Sequence, residues 1–193
     1  MGLIPIFEIG VWNAWIFMIV FIFQMIVIIF VDKKIWKKSH VPIEAKKNKY
    51  EKQVGILANF ICLIAMIYSI FLPLKLNSNL FYIGLLVFVI GLIILIRATY
   101  DFITTKPNKI IKTGVYKISR HPMYLATFFI VIGVSIASIS WLFLVLGIIM
   151  IFFFQREALI EERFCQKIFG EEYKDYIQQT SRWMGLPKSG EGR

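Results

Sequence analysis

Two short polar clusters flank one long apolar stretch of this sequence, and their side chains could bind a ligand. The first cluster, Arg120–Tyr124, supplies a guanidinium, an imidazole and a phenol, and the second supplies adjacent carboxylates at Glu161 and Glu162. Cationic and N–H donors bind carboxylates or phosphates, whereas carboxylates accept hydrogen bonds from amines and hydroxyls. The two clusters together therefore suit a ligand that carries a carboxylate, an ammonium group and a ribose.

Pro122 predicts that a helix begins at the first cluster, because proline at the first helical position loses no needed N–H and its fixed φ suits a helix. His121 before it is biased toward an extended conformation, and Gly114 allows the chain to bend on its approach. The free N–H groups of this helix start favour a bound anion. Tyr116 and Tyr124 would add two aromatic faces. The alternative is that these residue types only anchor a helix end at a membrane interface.

The second cluster lies in a predicted amphipathic helix, residues 156–169, which Gly170 would end. Glu161 shares a helix face with Phe164, Cys165 and Ile168, and Glu162 shares one with Cys165 and Phe169, so both acids lie on the apolar face. Acids that only interact with solvent belong on the opposite face, so this pair is expected to meet a partner in the interior. A second short helix is expected to pack back on the first through Tyr173, Tyr176 and Ile177.

Composition indicates a membrane protein, because 58% of the residues are hydrophobic and only 18% are charged, against roughly a quarter charged in soluble domains. Three charge-free runs have the length of about 20 residues that one helix needs to cross the hydrocarbon core. The fourth run, residues 122–155, has 34 residues and a polar centre at Ser138–Trp141, so it predicts a helical hairpin. A re-entrant loop that never reaches the far side is the alternative. The small residues Gly133, Ser135 and Ala137 are expected to let the two arms of the hairpin approach closely.

These runs predict an all-α integral membrane protein, a single domain over residues 1–193, with five transmembrane helices and a C-terminal cytoplasmic amphipathic helix. The predicted spans are about 9–31, 53–74, 77–96, 123–139 and 141–155. Alternate connections hold 21 of the 22 lysines and arginines, which predicts an external N-terminus, a cytoplasmic C-terminus and location in the cell membrane. The basic residues behind the net charge of +10 are then expected to orient the protein in the membrane and to contact anionic lipid headgroups. No nucleic-acid partner is expected.

A hairpin brings its two ends together, so both polar clusters are expected to meet on the cytoplasmic side. No metal site is expected, because the sequence has no zinc pattern and its two cysteines, Cys62 and Cys165, lie in different environments.

The motifs resemble those of the isoprenylcysteine carboxyl methyltransferase and phospholipid methyltransferase superfamily. The matching stretches are Gly114-Val115-Tyr116, Arg120-His121-Pro122-Met123-Tyr124, Glu161-Glu162 and the run from Phe169 to Tyr176. They lie in order within about residues 112–183. The resemblance implies an all-helical membrane enzyme that uses S-adenosylmethionine to methylate a lipophilic acceptor at the cytoplasmic membrane surface.

The resemblance also implies roles for individual residues. His121 and the peptide groups around Pro122 would hold the methionine part of the cofactor, and Glu161 or Glu162 would take its ribose hydroxyls or amine. The implied cofactor site comprises Gly114, Tyr116, Arg120, His121, Pro122, Tyr124, Glu161 and Glu162. The implied catalytic residues are Arg156, which would orient an anionic acceptor, and Glu161, which could accept a proton from an amine acceptor.

Several alternatives remain at the level of sequence. The acceptor could be a prenylated cysteine carboxylate, a phosphatidylethanolamine-type amine, or another small lipophilic thiol or acid, because the segment 97–109 lacks the family's usual pattern. NADPH-dependent membrane sterol or enone reductases have a similar tail, although they usually carry asparagine in place of Pro122-Met123. A non-enzymatic membrane protein, such as a transporter subunit, is a further alternative, but the predicted spans contain none of the ionisable residues that commonly mark transport pathways.

Overall fold

The computed structural model describes residues 8–32, 47–106 and 109–185, and its regular structure there is helical. A 3₁₀ helix, Gly114–Lys117, precedes the fourth of six α-helices. The α-helices are α1 (Trp15–Asp32), α2 (Lys49–Ile70), α3 (Asn79–Thr104), α4 (Pro122–Ser138), α5 (Trp141–Phe169) and α6 (Glu171–Gln179). An isolated β-bridge between Asn13 and Pro73 is the only extended pairing within the described ranges. The all-α prediction is therefore confirmed.

Three helices, α2, α3 and α5, are long and apolar enough to cross a membrane, and α1 and α4 are apolar but shorter. The chain is thus an integral membrane protein. α5 has 29 residues, about 44 Å at 1.5 Å per residue, so it extends beyond a hydrocarbon core of about 30 Å. Its C-terminal part is the predicted amphipathic helix, which ends as expected at Gly170, where φ is +56°.

Helix boundaries differ from the predicted spans where polar groups pair locally. α1 begins at Trp15, not near residue 9, because the Asn13 side chain donates to the carbonyl oxygens of Glu8 and Ile70 at 2.6 and 2.7 Å. α2 begins at Lys49, because Asn48 and Glu51 form a reciprocal capping box. α3 continues past residue 96 to Thr104. α2 and α3 therefore extend beyond their apolar runs and include charged residues at their ends.

The predicted hairpin is present, with α4 and α5 joined at Ile139 and Ser140. Ser140 caps α5 by accepting a hydrogen bond from the Phe143 N–H at 3.2 Å, and its hydroxyl lies 3.2 Å from the Tyr68 hydroxyl. These contacts fix the turn of the hairpin against the end of α2.

The small residues of α4 do not serve the contact that was expected of them. Gly133 and Ala137 face α3: a Cβ added at Gly133 would lie 2.6 Å from the Phe88 backbone nitrogen. The two arms of the hairpin meet instead at Gly147, where an added Cβ would lie 2.6 Å from Val131. The expectation for Gly133 and Ala137 was wrong, because spacing alone does not say which neighbouring helix a small-residue face meets.

The two ends of the bundle differ in chemistry. At one end, backbone hydrogen bonds link the chain segments between helices to their neighbours. For example, the Lys75 N–H, between α2 and α3, donates to the Ala137 carbonyl of α4 at 3.0 Å. At the other end, which we call the inner end, ion pairs join α5 to its neighbours: Lys47 pairs with Glu157 at 3.0 Å, and Arg163 pairs with Glu51. The connection from α3 to α4 and the tail after α6 also lie at the inner end. The core between the two ends is apolar.

Candidate functional site

The hairpin brings the two polar clusters together at the inner end, as predicted. Arg120 and His121 come from the connection into α4, and Glu161 and Glu162 come from α5, about two turns beyond Gln155, where its charge-free run ends. The His121 ring lies between the two carboxylates: Nε2 is 3.2 Å from Glu162 Oε1 and Nδ1 is 3.4 Å from Glu161 Oε2. One imidazole therefore joins both acids into a single cluster.

Glu162 is surrounded by donors from the protein itself. Arg120 donates to Glu162 Oε1 through Nε at 3.1 Å and Nη2 at 2.9 Å. Arg182 donates to Oε1 at 2.9 Å and to Oε2 at 2.8 Å. The Glu162 and Arg120 side chains are only 8% and 7% exposed. Glu162 therefore joins three elements of the fold, and little of it remains accessible to a ligand.

Arg120 is fully engaged as well. Beyond Glu162, its Nη1 donates to the carbonyl oxygens of Ile177, at 3.2 Å, and Thr180. These contacts tie the end of α6 to the start of α4. Arg120 thus lies in the predicted cluster, but its donors are used within the protein.

Glu161 has a different environment. Its Oε1 accepts a hydrogen bond from the Tyr124 hydroxyl at 2.7 Å, and its side chain is 35% exposed. A carboxylate on a partly exposed side chain, already oriented by a phenol and an imidazole, can still accept hydrogen bonds from a ligand. Glu161 is therefore the accessible acid of the pair.

The pKa of His121 lies above its ordinary value. Burial acts to lower this pKa, but the hydrogen bonds that the imidazole donates to Glu161 and Glu162, together with the negative charges of these acids, outweigh it. An imidazole with a carboxylate at each nitrogen is best satisfied when both nitrogens carry protons. The cluster thus favours a protonated histidine.

The start of α4 offers backbone donors next to this histidine. Pro122 occupies the beginning of the helix and His121, at the cap position, makes no side-chain capping hydrogen bond. The N–H groups in the first turn of a helix have no intrahelical partner, and the helix dipole places partial positive charge there. The predicted helix start is confirmed, and it can bind a carboxylate.

Aromatic rings line one side of the cluster. The Tyr124 ring is parallel to the His121 ring at 5.6 Å between centroids, and it stacks on Phe154 at 4.7 Å. The Trp183 ring lies 6.1 Å from His121, and its Nε1 donates to Gln155 Oε1 at 2.9 Å. These rings can exclude water from a ligand bound beside Glu161.

Gly114 and Tyr116 lie behind the cluster. Gly114 has a left-handed φ of +57°, which provides the predicted bend. Tyr116 is buried, and its carbonyl oxygen accepts a hydrogen bond from the Tyr176 hydroxyl at 2.7 Å. Burial raises the pKa of Tyr116, and the charges of Tyr176, Glu161 and Asp101 raise it further. The predicted packing of the short helix α6 is confirmed, since Tyr173 and Tyr176 are both buried.

Arg156 does not join the cluster. Its side chain is exposed and its guanidinium lies over the Phe152 ring, 5.3 Å from the centroid. Arg156 and Glu161 are five residues apart on α5, which turns them to different faces. The orienting role that the family resemblance implied for Arg156 stays a prediction.

Sequence reasoning missed two residues of the site, Arg182 and Trp183. They follow α6 in a segment that pairs with the first cluster: the Arg120 N–H donates to the Ser181 carbonyl at 3.0 Å, and the Ser119 hydroxyl to the Arg182 carbonyl at 2.9 Å. The available signal was a cation beside a tryptophan within the stretch that resembles the family. Periodicity could not identify them, because this segment is not helical.

Comparison with known proteins identifies the region that contains both polar clusters. The family model described as phospholipid methyltransferase matches residues 79–172, from the start of α3 to the start of α6. The chain is 35% identical over 79 residues to the protein-S-isoprenylcysteine O-methyltransferase of Saccharomyces cerevisiae, which covers 40% of this chain and 32% of the yeast protein. It is 29% identical over 121 residues to a probable protein-S-isoprenylcysteine O-methyltransferase of Oryza sativa subsp. indica, which covers 55% of this chain and 60% of the rice protein.

The chain therefore spans about a third of the yeast relative and 60% of the rice relative. The matched region contains the hairpin, the first cluster and both glutamates. The family resemblance is thus confirmed over residues 79–172, which match the family model described as phospholipid methyltransferase, and the chain is also similar to the isoprenylcysteine O-methyltransferases.

Proposed function

We propose that this protein is an S-adenosylmethionine-dependent methyltransferase of the isoprenylcysteine carboxyl type, which methylates a lipophilic acceptor at the cytoplasmic face of the membrane. One observation carries this proposal: Glu161, whose side chain is 35% exposed, lies beside a helix start without a side-chain cap, with aromatic rings on one side. A hydrogen-bond acceptor (Glu161), backbone N–H donors (the start of α4) and apolar rings thus lie around one potential ligand site.

The chemistry of these groups fits S-adenosylmethionine. Its carboxylate would bind the free N–H groups at the start of α4, next to the protonated His121. Its ammonium group or ribose hydroxyls would donate to Glu161. Tyr124, Phe154 and Trp183 would cover the ligand and exclude water.

The contacts divide the predicted cofactor residues into two groups. Glu161, the N–H groups around Pro122, and Tyr124 would touch the ligand. Arg120 and Glu162 would act through them, because their polar atoms already bind each other, Arg182 and the carbonyls after α6. They would hold the start of α4 and the inner end of α5 at a fixed distance.

When bound, S-adenosylmethionine would supply a methyl group that its sulfonium has already activated. A carboxylate acceptor then forms the new C–O bond while the C–S bond breaks, so no proton has to leave. The protein then has only to position the two reactants and keep water out. Such positioning can lower the activation barrier by several kcal/mol. The residues of the cluster suit that work.

The membrane arrangement that we propose has all five apolar helices, α1–α5, as spans, with the N-terminus outside and the C-terminus in the cytoplasm. The alternation of basic connections supports it, and so does the concentration of ion pairs at the inner end of the bundle. The acceptor would then reach the cluster from the cytoplasmic leaflet.

The second candidate reaction is N-methylation of an ethanolamine headgroup, which the description of the matched family favours. An amine acceptor must lose a proton, and Glu161 is the accessible base in the cluster. The two reactions share one site and differ in the acceptor.

The experiment incubates the purified full chain with methyl-labelled S-adenosylmethionine and membrane extract, followed by mild alkali. Volatile label released by base identifies a methyl ester, and base-stable lipid label identifies N-methylation. Glu161→Gln is expected to reduce transfer strongly at limiting S-adenosylmethionine, and Glu172→Gln, at an exposed acid on α6, is the matched control. Failure of the wild-type chain both to bind S-adenosylmethionine and to transfer label would overturn the proposal.

A further inference from the structure

We infer that Asp101, near the inner end of α3, is a positioning residue for the candidate cofactor site, because its carboxylate holds the start of the segment that carries Tyr116, Arg120 and His121. This inference rests on the proposed function and deepens it. It assigns work to a part of the chain, residues 97–109, in which the family resemblance offered no site residue.

The Asp101 carboxylate is buried and has two partners. Its Oδ2 accepts the Val115 N–H at 3.1 Å, and its Oδ1 lies 3.3 Å from the Arg97 guanidinium. The Asp101 side chain is 4% exposed, whereas that of Arg97 is 54% exposed. An ion pair with an exposed arginine contributes little, so the bond to the backbone of Val115 is the contact that matters.

Gly114 shows how closely the segment lies against this carboxylate. A Cβ added at Gly114 would overlap Asp101 Oδ2, and the φ of +57° at this position disfavours other residues. Glycine thus satisfies two requirements at once: the bend and the close approach of Asp101. The pair forms a tight contact between α3 and the 3₁₀ helix.

From Val115 the constraint passes to the cluster through a short, hydrogen-bonded stretch. The Ser119 N–H donates to the Val115 carbonyl at 3.1 Å, and the His121 N–H donates to the Ser119 hydroxyl at 3.1 Å. Val115 and His121 are only six positions apart in the sequence. Loss of the Asp101 contact would therefore let the start of α4 shift, and a displacement of about 1 Å at a site can cost about 100-fold in rate.

The test compares variants that separate the backbone bond from the ion pair. Asp101→Ala removes both, Asp101→Asn keeps an oxygen that can accept the Val115 N–H, and Arg97→Gln removes only the ion pair. We expect Asp101→Ala to raise the Kd and KM for S-adenosylmethionine about tenfold, with the acceptor KM little changed, and the other two to stay within about threefold of wild type.

Gly114→Ala is expected to give a similar rise, because its Cβ displaces the carboxylate. In the double variant Asp101→Ala/Gly114→Ala the effects should be less than multiplicative, since both act on one contact.

A matched control separates positioning from general loss of stability. Asn13→Ala removes two hydrogen bonds of a buried side chain at the opposite end of the bundle and should lower Tm without changing the Kd for S-adenosylmethionine. Hydrogen exchange supplies a readout independent of cofactor: Asp101→Ala should speed exchange in residues 114–124, and Asn13→Ala should not.

If wild type bound no S-adenosylmethionine, the proposed function would fail, while hydrogen exchange would still test the role of Asp101. Equal effects of the Asp101→Ala and Asn13→Ala variants on Kd and on exchange would overturn the inference.

Discussion

Glu161 and Glu162 are adjacent in the sequence, yet they lie in opposite kinds of environment. Glu162 is 8% exposed and accepts hydrogen bonds from two arginines, whereas Glu161 is 35% exposed and has a phenol and an imidazole beside it. Successive residues of a helix point about 100° apart, so one acid faces the tail after α6 and the other faces α4. The difference teaches that an acidic pair can divide its work, with one acid fixing the site and the other left for the ligand.

The strongest test of this comparison is Glu162→Gln. It leaves the buried Arg120 without its carboxylate and weakens the bond to Arg182, and breaking a buried pair of this kind typically costs about 3–5 kcal/mol. We expect a large fall in the free energy of unfolding, measured by thermal or denaturant unfolding in detergent. Glu172→Gln, whose ion pair with Lys112 is solvent-accessible, is the control and should change stability by less than about 1 kcal/mol. Equal stability of the two variants would contradict the central role of Glu162.

Glu161→Gln should weaken ligand binding more than it lowers stability. The amide keeps the shape of the side chain but loses its charge, so we expect the Kd for S-adenosylmethionine to rise about 10- to 100-fold, as for loss of a hydrogen bond to a charged group. The fall in unfolding free energy should be well below that of Glu162→Gln. Calorimetric titration and thermal unfolding of the same samples check both parts. A Glu161→Gln variant with wild-type affinity and reduced stability would remove the distinction between the two acids.

The pH dependence of stability tests the histidine between them. Because both carboxylates raise the pKa of His121, protonated histidine stabilises the folded state, and this contribution is complete below the ordinary pKa of histidine. It is lost as the pH rises through the raised pKa. Tm should therefore fall over that range in wild type, by an amount that His121→Gln removes. A His121→Gln variant with the wild-type pH profile would show that the titration lies elsewhere.

The smallest effect is expected at Arg156. Because it is exposed and lies over Phe152, Arg156→Ala should change unfolding free energy by about 0.5 kcal/mol or less and leave the affinity for S-adenosylmethionine unchanged. Arg182→Ala is the contrasting variant and should reduce both, since Arg182 binds Glu162 through two nitrogens. A lower kcat/KM for the acceptor in Arg156→Ala would confirm the orienting role predicted from the sequence, and an unchanged value would remove it.

Much of this arrangement follows from local sequence rules. The charge-free runs predicted the apolar helices, Pro122 predicted the start of α4, and Gly170 predicted the end of α5. Hairpin connectivity then required the two clusters to meet. These features depend on residues close together in the chain, or on a connection too short to allow another path.

Other features depend on which faces meet across the bundle. Helical periodicity predicted that Glu161 and Glu162 face the interior, but it did not predict which of them would face Arg182. Arg182 lies 20 residues after Glu162 and outside any helix. Nor could it place Asp101 against Gly114, because that contact depends on how far α3 extends past its apolar run.

The sequence by itself determined that this protein is helical, membrane-embedded and equipped with a polar cluster at the mouth of a hairpin. Hydrophobic run length, helix-terminus chemistry and charge distribution are local properties, which is why they can be read in order along the chain. Only the tertiary structure decided that Glu162 holds the site while Glu161 stays accessible, and that Gly133 and Ala137 pack on α3. The physical reason is that such contacts depend on the angles and offsets at which helices pack, and these are set by all the contacting side chains together.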